Sequence, residues 1–322
     1  MTPNEVVDNA VRIYQQLGWT FLKATVAPTI FVVAAFAFVL DYVLPMFRST
    51  SNSSSLTTQY GEIVFAVSLA LFIGGPLLII GVSATTAIVT QLVSDYMLGN
   101  LPSIDGAMRA ARRTMGTLIR VHFFELLYSC SGFLGAFGLS ILSSSLDQTT
   151  SQDSSLAGLV AGLAIFAFVG GGVIFLIVLS RHALVAPIAV LEGLKPRAAA
   201  KRSVELMKGG GAILSGYSHV WTLYVVLFFV SLLVGVGLGG FLSALDFEER
   251  FASGLSNIPY SGLLLKMLGM VPLFLWVWTM VPIWATTIAI IYYERRIRWE
   301  GYDIEALAAD VWRTDRQTRF EL

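Results

Sequence analysis

Charged side chains are scarce in this 322-residue chain. Asp, Glu, Lys and Arg make up 13% of it, against about 25% in an ordinary soluble domain. Hydrophobic residues reach 56% and the mean hydropathy is +0.73, so a soluble enzyme or a disordered chain is excluded. There is one cysteine, Cys130, so no internal disulfide can form and nothing depends on an oxidising compartment. The 21 basic residues balance 21 acidic ones, which removes the basic excess that marks nucleic-acid binding. No nucleophile motif, phosphate loop, zinc-ligand spacing or paired-carboxylate arrangement stands out. A non-enzymatic protein without cofactor or metal is expected. The N-terminus also lacks a signal-peptide pattern: residues 1–16 are polar or amphipathic with one basic residue, Arg12. The first apolar run is too long and has no small-residue cleavage site after it, so the first helix is expected to be retained.

What is present is a series of long charge-free runs. At 1.5 Å per helical residue, about 20 apolar residues cross a hydrocarbon core. Six stretches qualify: 24–44, 63–94, 126–146, 154–181, 209–245 and 267–293. They predict an all-α polytopic membrane protein that forms a single membrane domain. The connecting segments alternate between Ser/Thr-rich (49–60, 143–155) or mixed (246–262) stretches and basic ones. Of the 21 Lys and Arg residues only Arg48, Arg250 and Lys266 fall on the first side. The positive-inside rule therefore places both termini in the cytoplasm, and a bacterial inner membrane fits.

An Ala–basic pattern recurs ahead of the odd-numbered spans, at Ala10/Arg12, Ala107/Arg109 and Ala199/Lys201. Apolar residues share one helical face in each copy: Val6, Ala10, Ile13 and Leu17; Met108, Ala111, Met115 and Leu118; Ala200, Val204 and Met207. Ser103 is suited to cap the second of these helices, Pro196 suits the first turn of the third, and Gly209–211 would end it. The expected architecture is three pseudo-repeats, 5–94, 103–190 and 195–293, each an interfacial helix plus a transmembrane hairpin, with a cytoplasmic tail at 294–322.

Two basic-side segments carry a signature. Residues 186–193 (APIAVLEG) lead into 198–209, where Lys201-Arg202-Ser203 is followed by Leu206 and Lys208-Gly209. The last span ends Tyr292-Tyr293-Glu294-Arg295-Arg296-Ile297-Arg298-Trp299-Glu300-Gly301-Tyr302-Asp303-Ile304. Together these resemble the bacterial glycerophosphoryl diester phosphodiesterase membrane-domain family, with Glu294 where Asp is common and Trp299 where a basic residue is common. The resemblance implies six membrane helices and a cytoplasmic C-terminus. It does not imply phosphodiesterase activity, because hydrolysis in such fusions belongs to a separate TIM-barrel domain for which this chain has no room.

Physically, Tyr292 and Tyr293 are expected at the membrane boundary with their hydroxyls among headgroups. Arg295, Arg296 and Arg298 can bind lipid phosphates or pair with Glu300 and Asp303. Gly301 would turn the chain back beneath the bundle, so that Ile304, Leu307, Ala308 and Val311 dock as a short helix. Glu192-Gly193 and Arg202 join this set, which reads as a clasp in preference to a lipid- or partner-binding site.

Asp41, Glu125 and Arg181 lie within or at the edge of spans, where each needs a partner or an interfacial position, and Glu125 can pair with Arg181. His122, His182 and His219 fall in the basic halves of their helices and would serve a haem only if two imidazoles faced each other. Gly74-Gly75-Pro76, Gly170–172, Pro272 and Pro282 are candidate helix breaks of the kind that line transport sites, while Gly158-x-x-x-Gly162 and Gly235-x-x-x-Gly239 suit close helix packing. The favoured function is a membrane scaffold or accessory subunit that engages lipid and a membrane-protein partner. A permease for a lipid or small amphiphile and a haem-binding subunit are the alternatives.

Overall fold

The structure, a computed structural model, describes residues 3–43, 45, 56–149, 154–208, 220–226, 229–230, 232–234 and 261–301. The described residues are helical almost throughout and contain no strand. In chain order the elements are α1 (Pro3–Phe38) with a π turn (Val39–Val43), α2 (Leu56–Leu69) with a second π turn (Ala70–Gly74), α3 (Gly75–Met97), α4 (Ile104–Thr149), α5 (Ser154–Arg181), α6 (Val185–Leu191), α7 (Pro196–Lys208) and α8 (Ser261–Glu300). Among the described residues five segments are long and apolar enough to cross a membrane: Asp8–Val43, Ile63–Met97, Ile104–Ser143, Gly158–Leu191 and Met270–Glu300. They match five of the six expected runs. The remaining one, 209–245, lies largely outside the described residues, as does His219.

The helices differ from expectation in continuity. The amphipathic segments ahead of the first and second hairpins are not separate interfacial helices. They are the first turns of α1 and α4, which run unbroken for 36 and 46 residues, or about 54 and 69 Å. Gly18 does not stop α1, and neither helix carries a Pro between its amphipathic and its apolar part. The third segment, α7, begins as a helix of its own, because Gly193 at φ 66° turns the chain and Pro196 opens the helix; residues 209–219 after it lie outside the described residues. Helix also extends into the segments read as loops, through Thr149 in α4 and from Leu56 in α2.

Amphipathicity nevertheless decides the packing. Val6, Ala10, Ile13, Ala107, Ala111, Leu118, Ala199, Leu206 and Met207 are all buried in one core with α3, α6 and α8. The repeated alanines Ala10, Ala107 and Ala199 are each essentially inaccessible. The arginines on the opposite face of α4 are exposed. Ser103 accepts from Gly106 N–H at 3.3 Å and so starts α4 as expected.

Threonines and glycines let the helices meet closely. Thr25, Thr85, Thr86 and Thr287 each donate to the carbonyl four residues back at 2.8–2.9 Å. Their hydroxyls are thereby satisfied inside an apolar bundle. A Cβ on Gly81 would stand 2.8 Å from the Pro28 carbonyl oxygen, and one on Gly132 would collide with the Gly171 backbone. The glycine run 170–172 therefore does not break α5 but is where α4 crosses it. Pro272 and Pro282 likewise sit inside one continuous α8. Among the expected breaks only Gly74-Gly75-Pro76 interrupts a helix, as the π turn before α3. Gly158 and Gly162 face open space, while Gly235 and Gly239 lie outside the described residues.

Candidate functional site

Two polar constellations stand out at the basic end of the bundle. The first is a closed ring of five side chains from three helices. Tyr292 O–H donates to Glu192 Oε1 at 2.9 Å, and Arg296 donates to the Tyr292 oxygen at 3.2 Å and from Nε to Glu300 Oε2 at 3.1 Å. Arg202 closes the circuit by contacting Glu300 with one guanidinium nitrogen and Glu192 Oε2 with Nε at 3.4 Å. Two cations face two carboxylates around one phenol, so the ring is charge-balanced and each carboxylate meets two donors. The ends of α6 and α8 and the middle of α7 are thereby held together.

The neighbouring residues strengthen the same junction. Ser203 donates to the Arg181 carbonyl at 2.8 Å and accepts from Leu184 N–H at 3.3 Å, bridging the break between α5 and α6. Tyr293 and Ser94 hydroxyls meet at 2.7 Å, and Glu294 holds Arg298 at 2.6 Å and Arg295 at 3.4 Å. Gly301 adopts φ 62°, the turn that its position suggested. Asp303 and the docking helix expected at 304–311 lie outside the described residues.

The tyrosines correct the expectation made for them. Tyr292 is 0% and Tyr293 4% exposed, so their hydroxyls bond protein groups and not headgroups. The reason is their position on the inward face of α8: Ile288 to Tyr293 are all buried, leaving no lipid-facing side for the rings. Arg295 is also buried, at 1%, whereas Arg298 retains an exposed edge.

The second constellation gathers around Glu125 on α4. His122 Nδ1 lies 2.9 Å from Glu125 Oε2, one helical turn away. From the turn after α5, His182 Nδ1 approaches Glu125 Oε1 at 3.4 Å, an electrostatic contact longer than a good hydrogen bond. His182 thus takes the place expected for Arg181. Successive residues point about 100° apart around a helix end, so Arg181 faces outward, exposed, while His182 turns to the interior. Asp41 belongs to the π turn after α1 and is not part of the cluster.

Glu125 and His182 form the wall shared by two cavities. One, about 240 Å³, runs between α3, α4, α5 and α8 and is lined by His122, Tyr224 and Trp284 among apolar residues. The other, about 220 Å³, lies between α4 and the start of α7, beside Tyr128 and Arg197. A larger apolar cavity of about 740 Å³ between α2, α4 and α5 contains Cys130 and no charged side chain.

These residues do not fit a bis-histidine haem between His122 and His182. Such a site needs the imidazoles to face each other across iron, but here the edges that converge carry Nδ1 and have a carboxylate between them. Among the described residues no group of three or more His, Cys, Asp and Glu side chains is arranged to hold a metal ion.

No family model, curated protein or solved structure matches this chain.

Proposed function

We propose that the chain is a non-enzymatic, lipid-interacting integral membrane protein. It acts as a scaffold or accessory subunit in a bacterial inner membrane, with six membrane helices in three pseudo-repeats and both termini cytoplasmic. The six long charge-free runs support the helix count. The alternation of basic and uncharged connecting segments supports the orientation.

The observation that carries the lipid reading is the placement of arginines on α4. Arg109, Arg112, Arg113 and Arg120 are exposed on the face opposite the buried Ala107, Ala111 and Leu118. Exposed cations at the basic end of a membrane bundle attract anionic headgroups, by about 1 kcal/mol each. The five-membered ring then has a structural role: it holds α6, α7 and α8 together at the basic end of the bundle.

The test is the lipid retained on extraction. Replacing Arg112, Arg113 and Arg120 with Ala should lower co-purifying anionic lipid severalfold while leaving the helical circular-dichroism spectrum of the parent. Equal retention by the triple variant and the parent would remove the basis of the proposal.

One observation favours a permease as the second reading, namely that the Glu125–His182 pair separates two cavities. Flux that survives Glu125→Gln would exclude that role for the pair.

A further inference from the structure

The Glu125 cluster holds two facing atoms that nothing satisfies. Glu125 Oε1 and His182 Nδ1 are both buried and lie 3.4 Å apart, and neither has a hydrogen-bond partner among the described residues. Such atoms are uncommon, because each has given up water and gained nothing in return. The other carboxylate oxygen is served. His122 Nδ1 lies 2.9 Å from Oε2 and, since a carboxylate only accepts, bears the proton between them. With both imidazoles neutral, the cluster keeps one uncompensated negative charge inside the bundle, which is unfavourable where water is scarce.

Among the described residues the two histidines are the only ion-pair partners of Glu125. The other titratable or charged side chains lining the two cavities beside it are Tyr128, Tyr224 and Arg197, and the walls from α3, α5, α6 and α8 bring none. Tyr224 is engaged with the Leu179 carbonyl and with Trp284. Tyr128 and Arg197 are exposed, so water screens the guanidinium.

A proton completes the site. Whichever tautomer neutral His182 adopts, proton uptake gives an imidazolium with N–H on both ring nitrogens. Nδ1 is then a charged donor aimed at Oε1, and such bonds are shorter and roughly twice as strong as neutral ones. His182 is the ring placed to take it, with 26% of its side chain exposed against 15% for His122. An imidazolium at His122 would instead put its second N–H at Nε2, which is buried without a partner.

We infer that His182 and Glu125 form a pH-sensitive latch between the α5–α6 turn and α4. A proton taken from water by His182 closes Nδ1 on Oε1 and draws the turn onto α4; its loss loosens the contact. Ser203 of α7 bonds the Arg181 carbonyl and the Leu184 N–H, on either side of His182, so the latch also seats α7. The closed state holds one more proton than the loose one. Acid therefore favours it, and it is lost as pH rises through the titration of His182. The latch rests on neither the scaffold nor the permease reading, so each can fail separately.

Hydrogen exchange of the full chain in lipid nanodiscs tests this, at about pH 5.5 and about pH 8, either side of the ~6.5 of an ordinary histidine. Rates are divided by those of unstructured peptides of the same sequence, which removes the intrinsic effect of pH. The amides of His182, Leu184 and Val185, bonded to Val178, Ser203 and His182 respectively, report the turn. Their protection should be about tenfold greater at the lower pH, while amides in the middle of α3 change little. Glu125→Gln and His182→Gln should each abolish the difference, and His122→Gln, which keeps a donor for Oε2, should preserve it. Equal protection of the parent's turn at the two pH values would overturn the inference even if the variants failed to fold. So would a difference that survives in Glu125→Gln or His182→Gln.

Discussion

Arg202 and Glu192 meet at 3.4 Å across the turn between α6 and α7, and the same guanidinium reaches Glu300 at the end of α8. One arginine from the middle of α7 therefore joins the ends of α6 and α8. That is why two sequence segments almost 100 residues apart share one structural purpose: Tyr292 bonds Glu192 from the other side.

Loss of Arg202 should destabilise this junction more than its exposure suggests. Arg202→Ala leaves Glu192 and Glu300 facing each other with one fewer cation, so the cost should be about 1–3 kcal/mol. Tyr292→Phe should cost about 1–2 kcal/mol, since it removes a donor to a carboxylate. The pair should be non-additive, because both act on Glu192. Thermal or denaturant unfolding in detergent measures this, and strictly additive effects would show that the ring is not one network.

Ser203→Ala offers a cleaner version of the same test. It removes the acceptor for the buried Leu184 N–H and the donor to the Arg181 carbonyl, and should cost about 1–3 kcal/mol. Ser203→Thr keeps the hydroxyl and should be milder. Hydrogen exchange at Leu184 should accelerate in the alanine variant.

The α4–α5 crossing should tolerate no side chain at all. Gly171→Leu or Gly132→Leu forces the two backbones apart and should cost about 1–3 kcal/mol or prevent accumulation. Gly170→Ala and Gly172→Ala, whose Cβ atoms would meet nothing within 4 Å, should be nearly silent. If all four variants behave alike, α5 does not pack on α4 through Gly171.

Orientation can be read with single cysteines in a Cys130→Ser background. A cysteine at Ser151 should react with an impermeant maleimide added to intact cells, and one at Arg113 only after the membrane is opened. The reverse pattern would invert the topology expected from the basic segments.

Much of this architecture is legible in the sequence, and what is not has a physical reason. Helical class, five of the spans, the Ser103 cap, the turn at Gly301 and the faces built on Ala10, Ala107 and Ala199 all follow from local spacing, to which periodicity is sensitive. The pairing of Arg296 with Glu300 was legible from their spacing on one helix, whereas the links of Arg202 to Glu192 and Glu300 and of Tyr292 to Glu192, which join separate helices, were not. The choice of His182 over Arg181 for Glu125 turns on a single step around a helix end, which local spacing cannot resolve. Nor can composition tell a glycine run that breaks a helix from one that lets another helix touch it. The tyrosines were misplaced because an aromatic pair at a span's end looks the same whether it meets lipid or another helix. The cavity beside His122 had no sequence signature, since its walls come from α3, α4, α5 and α8 together.

The central claim, that this is a lipid-interacting protein presenting its α4 arginines to anionic headgroups, is tested most directly by native mass spectrometry of the gently extracted chain. The parent should carry discrete anionic-lipid adducts that persist under activation, and Arg112→Ala/Arg113→Ala/Arg120→Ala should lose most of them while keeping its fold. A bare parent chain, or adducts unchanged in the variant, would contradict the claim.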